Sequence, residues 1–88
     1  HEMNLERYHW GTAKEDFGPK NSFLYQEMFR YVVDFFNKKE VYNVLWVFCP
    51  NHESNPQEAW NEVSLYYPGD HYVDLFGMDG YNWGQSQE

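Results

Sequence analysis

The chain has 88 residues, which is enough for one small domain at most. Its 14 acidic residues outnumber its 6 basic ones, and the formal net charge is -8. This balance argues against nucleic acid and against an anionic membrane surface as partners, because both attract clustered Lys and Arg. No apolar run is long enough for a transmembrane helix, no signal peptide is recognisable, and both ends read as cut points within something larger.

Aromatic side chains make up 22% of the chain. The simpler explanation is a crowded hydrophobic core, although aromatic faces are also surfaces on which sugar rings pack, and composition leaves both open. The single cysteine, Cys49, rules out an internal disulfide. It lies in an apolar run, which predicts a small buried hydrophobe rather than a nucleophile.

The first predicted element is a long amphipathic helix. Residues 1–21 are punctuated by Gly and Pro and are predicted to form a long loop. Ser22 is the predicted N-cap of a helix over residues 23–39. The apolar residues of that segment recur at helical spacing, and they are Leu24, Met28, Val32, Phe35 and Phe36.

The second half of the chain contains two strand-like runs. Residues 43–49 form a nearly unbroken apolar run, which is typical of a parallel strand covered on both faces. A short helix is predicted over residues 56–63, with Pro56 in its first turn, and residues 67–70 form a turn. A second strand is predicted over residues 72–78. The alternation of helix and strand predicts an α/β protein with parallel strands, three of them if the residues just before His1 formed one.

Three polar clusters each follow a real or implied strand. They are His1-Glu2-Met3-Asn4, Pro50-Asn51 and Asp79-Gly80-Tyr81-Asn82-Trp83-Gly84. In a (β/α)8 barrel the carboxyl ends of the strands face the active site, so the three clusters are expected to share one rim.

Glu2 is the candidate for chemistry at this rim. An isolated Glu is usually a surface carboxylate, but burial among aromatic and apolar neighbours disfavours its charged form and suits a general acid. His1 would then bond that carboxylate or the substrate, or it caps a strand end. Tyr81 and Trp83 either contact a ligand or close the edge of the sheet. Asp79 is either a site residue or a loop cap.

Metal catalysis is not expected. The zinc motif His-Glu-x-x-His needs a histidine at position 5, where this chain has Leu5. His52 and His71 have no second ligand at a recognisable spacing. No metal and no cofactor are therefore predicted.

Taken together, the motifs resemble glycoside hydrolase family 26, whose members are mainly endo-β-1,4-mannanases. The family has a His-Glu-Met-Asn type motif at the end of its fourth barrel strand. Two further segments of the chain are similar to segments of the family. They are residues 46–51 (Trp-Val-Phe-Cys-Pro-Asn) and residues 66–81, which begin Tyr-Tyr-Pro-Gly-Asp. The resemblance implies a partial (β/α)8 TIM barrel, roughly from the end of strand 4 to the end of strand 6. Residues 1–88 would then be a fragment of a single glycoside hydrolase catalytic domain.

The resemblance also implies roles for individual residues. Glu2 looks like the catalytic acid/base, and Tyr81 is similar to the tyrosine that hydrogen-bonds the nucleophile. The nucleophile itself, a glutamate on the seventh strand, is expected beyond Trp83 and outside the chain, and Glu88 is not a candidate because no apolar strand precedes it. The implied substrate-binding residues are His1, Asn4, Trp10, Asp79, Tyr81 and Trp83.

The implied reaction is retaining hydrolysis of β-1,4-mannosidic linkages in a polysaccharide, without a cofactor, by a secreted or cell-surface enzyme. The fragment alone would be inactive. Leu5-Glu6-Arg7 stand where the family often has Gly and a substrate-stacking Trp, which leaves the polysaccharide open. The alternatives are a β-1,3-xylanase or mixed-linkage β-glucanase of the same family, a non-catalytic carbohydrate-binding protein, and a structural α/β fragment without activity.

Overall fold

The computed structural model describes residues 1–81. A 3-10 helix, Glu15–Lys20, leads directly into the one α-helix of this part of the chain, α1 (Asn21–Lys38). Two short strands follow, β1 (Val47–Phe48) and β2 (Leu75–Phe76). Two 3-10 turns, Ala59–Asn61 and Val63–Tyr66, lie between the strands.

The predicted helix is confirmed with shifted ends. The prediction of a loop through residue 21 is wrong for residues 15–21, and the prediction of Ser22 as N-cap is also wrong. Lys20 occupies the N-cap position without a side-chain hydrogen bond, because the 3-10 helix runs straight into α1. At the other end, Glu40 adopts φ 60° and its N–H donates to the Asn37 carbonyl, which closes the helix in the manner of a Schellman motif.

The two predicted strands are confirmed in position and direction. β1 and β2 pair in parallel, with Val47 opposite Leu75 and Phe48 opposite Phe76. Backbone hydrogen bonds continue past the formal strand ends, from the Trp46 carbonyl, which accepts from the Leu75 N–H at 3.1 Å, to the bridge between residues 51 and 79. The two strand-end clusters at residues 50–51 and 79–81 therefore lie side by side.

Burial of β1 on both faces is not what the structure shows. Phe48 is fully buried, whereas Val47 is 45% exposed and Leu75 opposite it is 52% exposed. One face packs on α1 through edge-on aromatic contacts such as Phe36 against Trp46, with ring centroids 5.0 Å apart. Within the described residues no second layer covers the other face, so the apolar run is half-covered.

The core is small and largely aromatic. Met3, Phe48 and Tyr66 are completely buried and form one cluster. Tyr67 packs edge-on against Phe48 at 5.3 Å, and Tyr25 lies 6.4 Å from it. The core joins the first segment of the chain, β1 and the turns before β2. It accounts for only part of the aromatic content, because Tyr31, Tyr42 and Phe76 are more than half exposed.

The predicted helix over residues 56–63 is wrong. The Asn55–Pro56 peptide bond is cis, and the segment folds into two 3-10 turns instead. The Asn61 side chain points inward, where its Nδ2 donates to the carbonyls of Asn4 at 3.0 Å and Pro56 at 2.8 Å. These side-chain hydrogen bonds to backbone carbonyls compete with the backbone hydrogen bonds of an α-helix and stabilise the turns instead.

The described part of the chain is thus an α/β arrangement with a parallel strand pair. None of its helices has both the length and the apolar content that a membrane span requires.

Candidate active site

Backbone hydrogen bonds bring the three polar clusters to one edge of the fold. The Glu2 N–H donates to the Cys49 carbonyl at 2.8 Å, which sets the first cluster beside the end of β1. The Asp79 N–H donates to the Pro50 carbonyl at 2.9 Å, which sets the third cluster on the other side. For the described residues the predicted shared rim is confirmed, while Trp83 lies outside the described residues.

Glu2 occupies the centre of this rim. Its side chain is buried, with 2% exposure, and its backbone has φ 52°, a left-handed conformation that costs free energy for a residue with a Cβ. The carboxylate Oε1 accepts a hydrogen bond from Asn51 Nδ2 at 2.9 Å. The other oxygen, Oε2, lies 3.7 Å from His1 Nε2. A buried carboxylate that is fixed by an amide on one oxygen and has an imidazole beside the other can give or take a proton at a defined position.

Asn4 lies beneath the rim and not on it. It is completely buried. Its Oδ1 accepts from the Asn51 N–H at 2.9 Å, and its Nδ2 donates to the Asn51 carbonyl at 3.0 Å and to Ser54 Oγ at 3.1 Å. In this structure Asn4 supports Asn51 and presents no surface to a substrate, which departs from its predicted role in substrate binding.

His1 and Trp10 form part of an aromatic cluster at the edge of the rim. The Trp10 indole N–H donates to the His1 carbonyl at 3.0 Å, and the two rings lie 5.7 Å apart. The loop can return this closely because position 11 is glycine: a Cβ on Gly11 would lie 3.0 Å from the Met3 carbonyl oxygen. Trp10 keeps half of its surface exposed.

Tyr8 belongs to the same cluster, although the sequence reasoning missed it. Its ring stacks on Trp10 with centroids 4.2 Å apart, and the Arg7 guanidinium carbon lies over the Tyr8 ring, 5.0 Å from its centroid. An aromatic residue two positions before Trp10 was the available signal.

Asp79 is held from below by Cys49. The Cys49 thiol donates to Asp79 Oδ1 at 3.4 Å. Burial raises the pKa of this thiol, and the hydrogen bond to the Asp79 carboxylate raises it further, so the sulfur is a neutral donor at neutral pH. The prediction of a buried hydrophobe at Cys49 is therefore incomplete, because the half-buried thiol also positions a carboxylate.

His1, Glu2 and Asp79 converge. One nitrogen or oxygen atom from each of the three lies within 4.8 Å of the others. These are ligand types that a divalent cation accepts, and they are equally the groups that hold and exchange protons in a hydrolase.

An open cavity of about 560 Å³ adjoins this cluster. Asn51 is shared between the two, since it lines the cavity and bonds Glu2. The wall is mostly polar and includes Arg7, His52 and Gln57. Tyr81, which is 64% exposed, also lines the cavity. The volume is in the range of small-ligand sites.

Comparison of the sequence with known proteins identifies the family of the chain. The model for glycosyl hydrolase family 26 matches residues 1–88. The chain is 38% identical over 89 residues to endoglucanase H of Acetivibrio thermocellus, an alignment that covers 99% of this chain and 9% of that protein. It is 30% identical to a mannan endo-1,4-beta-mannosidase of Bifidobacterium adolescentis, over 100% of this chain and 8% of that protein.

A mannan endo-1,4-beta-mannosidase of Bacillus subtilis is also 30% identical, over 92% of this chain and 21% of that protein. The chain thus spans a small part of each of these relatives. No solved structure shows a significant match. The family implies a TIM-barrel parent, with which the parallel strand pair and α1 are consistent. Because the family model covers the whole chain and the relatives match nearly all of it, the chain belongs to glycosyl hydrolase family 26, a family of glycoside hydrolases.

Proposed function

We propose that the full-length enzyme carrying this chain hydrolyses β-1,4-mannosidic linkages with retention of configuration, and that Glu2 is its acid/base. The observation that carries the proposal is the Glu2 carboxylate, which is buried where the three polar clusters meet and is fixed by Asn51 at 2.9 Å. Residues 1–88 would lie within one catalytic domain, from the end of barrel strand 4 to the end of strand 6.

In this mechanism Glu2 acts twice. It first protonates the glycosidic oxygen while a second glutamate, outside these 88 residues, attacks the anomeric carbon. It then takes a proton from the water that hydrolyses the glycosyl-enzyme. Retaining enzymes hold the two carboxyl groups roughly 5–5.5 Å apart, so the position of Glu2 must be fixed. Without the second glutamate, the 88 residues alone have no hydrolytic activity in this proposal.

The substrate contacts follow from exposure at the rim. Trp10 offers an exposed indole face, and His1 and Asp79 place polar atoms next to the Glu2 carboxylate. Tyr81 stands at the edge of the adjoining cavity, which provides room for sugar units next to the cleaved bond.

A polysaccharide does not cross a membrane unaided, so we also propose that the enzyme acts outside the cell or on its surface. Activity confined to the cell lysate would contradict that location.

A mixed-linkage β-glucanase is the second candidate. The chain is more similar to endoglucanase H, at 38% identity, than to the two mannosidases, at 30%. The loop residues Leu5-Glu6-Arg7 also depart from the pattern common in mannanases. Initial rates of the full-length enzyme on mannan, on lichenan and on β-1,3-xylan decide among the three activities. A lichenan rate well above the mannan rate would replace the mannanase proposal.

The acid/base assignment is tested with Glu2→Gln in the full-length enzyme. Glu27→Gln is the matched control, because it makes the same change on an exposed side chain of α1, outside the rim. We expect kcat on the polysaccharide to fall about 10²- to 10⁴-fold for Glu2→Gln, since general acid–base catalysis contributes on that order, and to stay near wild type for Glu27→Gln. Near-native activity of the Glu2 variant would remove it from the acid/base role.

A further inference from the structure

We propose that Asn51 is a positioning residue for Glu2, which fixes the carboxylate oxygen that carries the transferable proton, and that Asn4 holds Asn51 for this task. The inference rests on the proposed function, because it assumes that Glu2 is the acid/base. It assigns a task to two buried asparagines: Asn51 in the second polar cluster, and Asn4 of the first cluster, which lies beneath the rim.

All four polar groups of Asn51 are engaged. Its N–H donates to Asn4 Oδ1 at 2.9 Å, and its carbonyl accepts from Asn4 Nδ2 at 3.0 Å. Its side-chain Oδ1 accepts from the Glu53 N–H at 3.1 Å, and its Nδ2 donates to Glu2 Oε1 at 2.9 Å. Asn51 is only 9% exposed, so water does not replace these partners readily.

This pattern fixes the orientation of the Asn51 amide. If the amide were flipped, its oxygen would face the Glu2 carboxylate and its NH₂ group would face the Glu53 N–H. Both contacts would pair like with like, acceptor with acceptor and donor with donor. The Glu53 backbone therefore determines that the NH₂ group points at Glu2.

The amide in turn determines where the proton on Glu2 lies. An amide NH₂ group donates and does not accept, so Oε1 must remain an acceptor in both protonation states of the carboxyl. The proton of the acid form is then carried by Oε2, the oxygen that lies 3.7 Å from His1 Nε2. Oε2 is thus the oxygen that protonates the leaving group and later accepts the proton from water.

The other titratable groups around Glu2 do not replace this device. One ligand atom each of His1 and Asp79 lies within 4.8 Å of a Glu2 carboxylate oxygen, and the Cys49 thiol lies close enough to interact electrostatically with Glu2. The hydrogen bonds that hold His1, Cys49 and Asp79 do not use the Asn51 side chain, so we expect all three to keep their positions when it is changed. A difference between Asn51 variants therefore reports on the amide.

The test compares two leaving groups in the full-length enzyme. A 2,4-dinitrophenyl glycoside of the accepted sugar needs no protonation to depart, whereas the natural oligosaccharide needs a correctly placed acid. For Asn51→Ala we expect kcat/KM on the oligosaccharide to fall about 10- to 100-fold, the loss typical of a misplaced catalytic group. We expect kcat/KM on the dinitrophenyl substrate to change less than about threefold, since glycosylation of that substrate does not use the acid.

Asn51→Asp adds a readout that a purely structural role would not change. The new carboxylate faces Glu2 Oε1 and disfavours the charged form of Glu2. The alkaline limb of the kcat/KM profile on the oligosaccharide should move up by about one pH unit or more. Asn43→Asp is the matched control, because it makes the same change at an exposed position before β1, and it should leave the profile unchanged.

The outcomes separate this inference from the proposed function. The inference is overturned if kcat/KM falls by the same factor on both substrates, as misfolding or a merely structural role of Asn51 would cause. It is also overturned if neither Asn51 variant alters the ratio of kcat/KM between the two substrates or the pH profile. Glu2→Ala, measured alongside, tests the proposed function alone. If Glu2→Ala keeps the wild-type leaving-group ratio, the acid/base assignment fails; if it loses only the oligosaccharide activity while the Asn51 variants behave as wild type, the inference alone fails.

Discussion

The hydroxyl of Tyr66 joins two buried asparagines across the core, and its removal gives a sharp test of the fold. The Tyr66 O–H donates to Asn61 Oδ1 at 2.5 Å and accepts from Asn21 Nδ2 at 2.6 Å. Tyr66 and Asn61 are completely buried, and Asn21 is 1% exposed. The hydroxyl thus ties the start of α1 to the turns before β2.

Tyr66→Phe removes this oxygen and keeps the ring, so the packing around Phe48 is retained and no large cavity forms. It leaves an amide oxygen on Asn61 and an amide N–H on Asn21 buried without this partner. An unsatisfied buried group costs about 1–3 kcal/mol. Because Asn61 keeps its Nδ2 bonds to the backbone, we expect a total loss of about 2–4 kcal/mol in the free energy of unfolding.

The measurement is urea unfolding of the full-length enzyme, followed by the midpoint and slope of the transition. Tyr67→Phe is the matched control, because it removes the neighbouring hydroxyl, which bonds Asp70 at the surface. The control should leave the midpoint unchanged. A Tyr66→Phe midpoint equal to that of the control would refute the account of a buried amide–hydroxyl network.

Two further predictions concern groups whose protonation the fold controls. Burial and the Asp79 carboxylate raise the pKa of the Cys49 thiol, so iodoacetamide at pH 8 should alkylate Cys49 more slowly in the native enzyme than in urea; equal rates would contradict this. Burial also raises the pKa of Tyr25 and of Tyr66 from 10.0 to about 12. The unfolded chain then loses these protons at lower pH than the native one. The urea concentration at the unfolding midpoint should therefore decrease as the pH rises from 10 to 12, and an unchanged midpoint across that range would contradict this prediction.

Part of the fold could be predicted from the sequence, because the spacing of apolar residues indicates which side of a helix is buried. The apolar residues at helical spacing locate α1 to within two residues at its start and one at its end. The start is missed because a 3-10 helix precedes α1 and because Asn21, a residue typical of caps, uses its amide on Tyr66 instead. A contact 45 residues away along the chain leaves no local signal.

The strands were predicted in the right places but too long. The apolar runs locate β1 and β2 and their parallel direction, whereas the paired segments are only two residues each. A residue joins a strand only where a neighbouring strand pairs with it. In the described residues β1 pairs with β2 alone, so Leu45, 70% exposed, and Val47 remain partly uncovered.

The rim was predictable at the level of clusters and not of contacts. Strand-end position indicated that Glu2, Asn51 and Asp79 would meet, and the structure brings them together. Two details are invisible in the sequence: the left-handed backbone of Glu2, and the burial of Asn4, whose amide supports Asn51. A side chain's direction depends on backbone conformation and on distant partners, which motif spacing does not encode.

Chemical rescue of Glu2→Ala in the full-length enzyme tests the central claim most directly. With the 2,4-dinitrophenyl glycoside the first step proceeds without an acid, and the glycosyl-enzyme waits for a base that is absent. Azide needs no base and enters the space left by the carboxylate. The account predicts that azide raises kcat of Glu2→Ala, leaves the wild type unaffected and yields a glycosyl azide of retained β configuration. A Glu2→Ala enzyme that azide does not accelerate, or one that yields the α-azide, would contradict it.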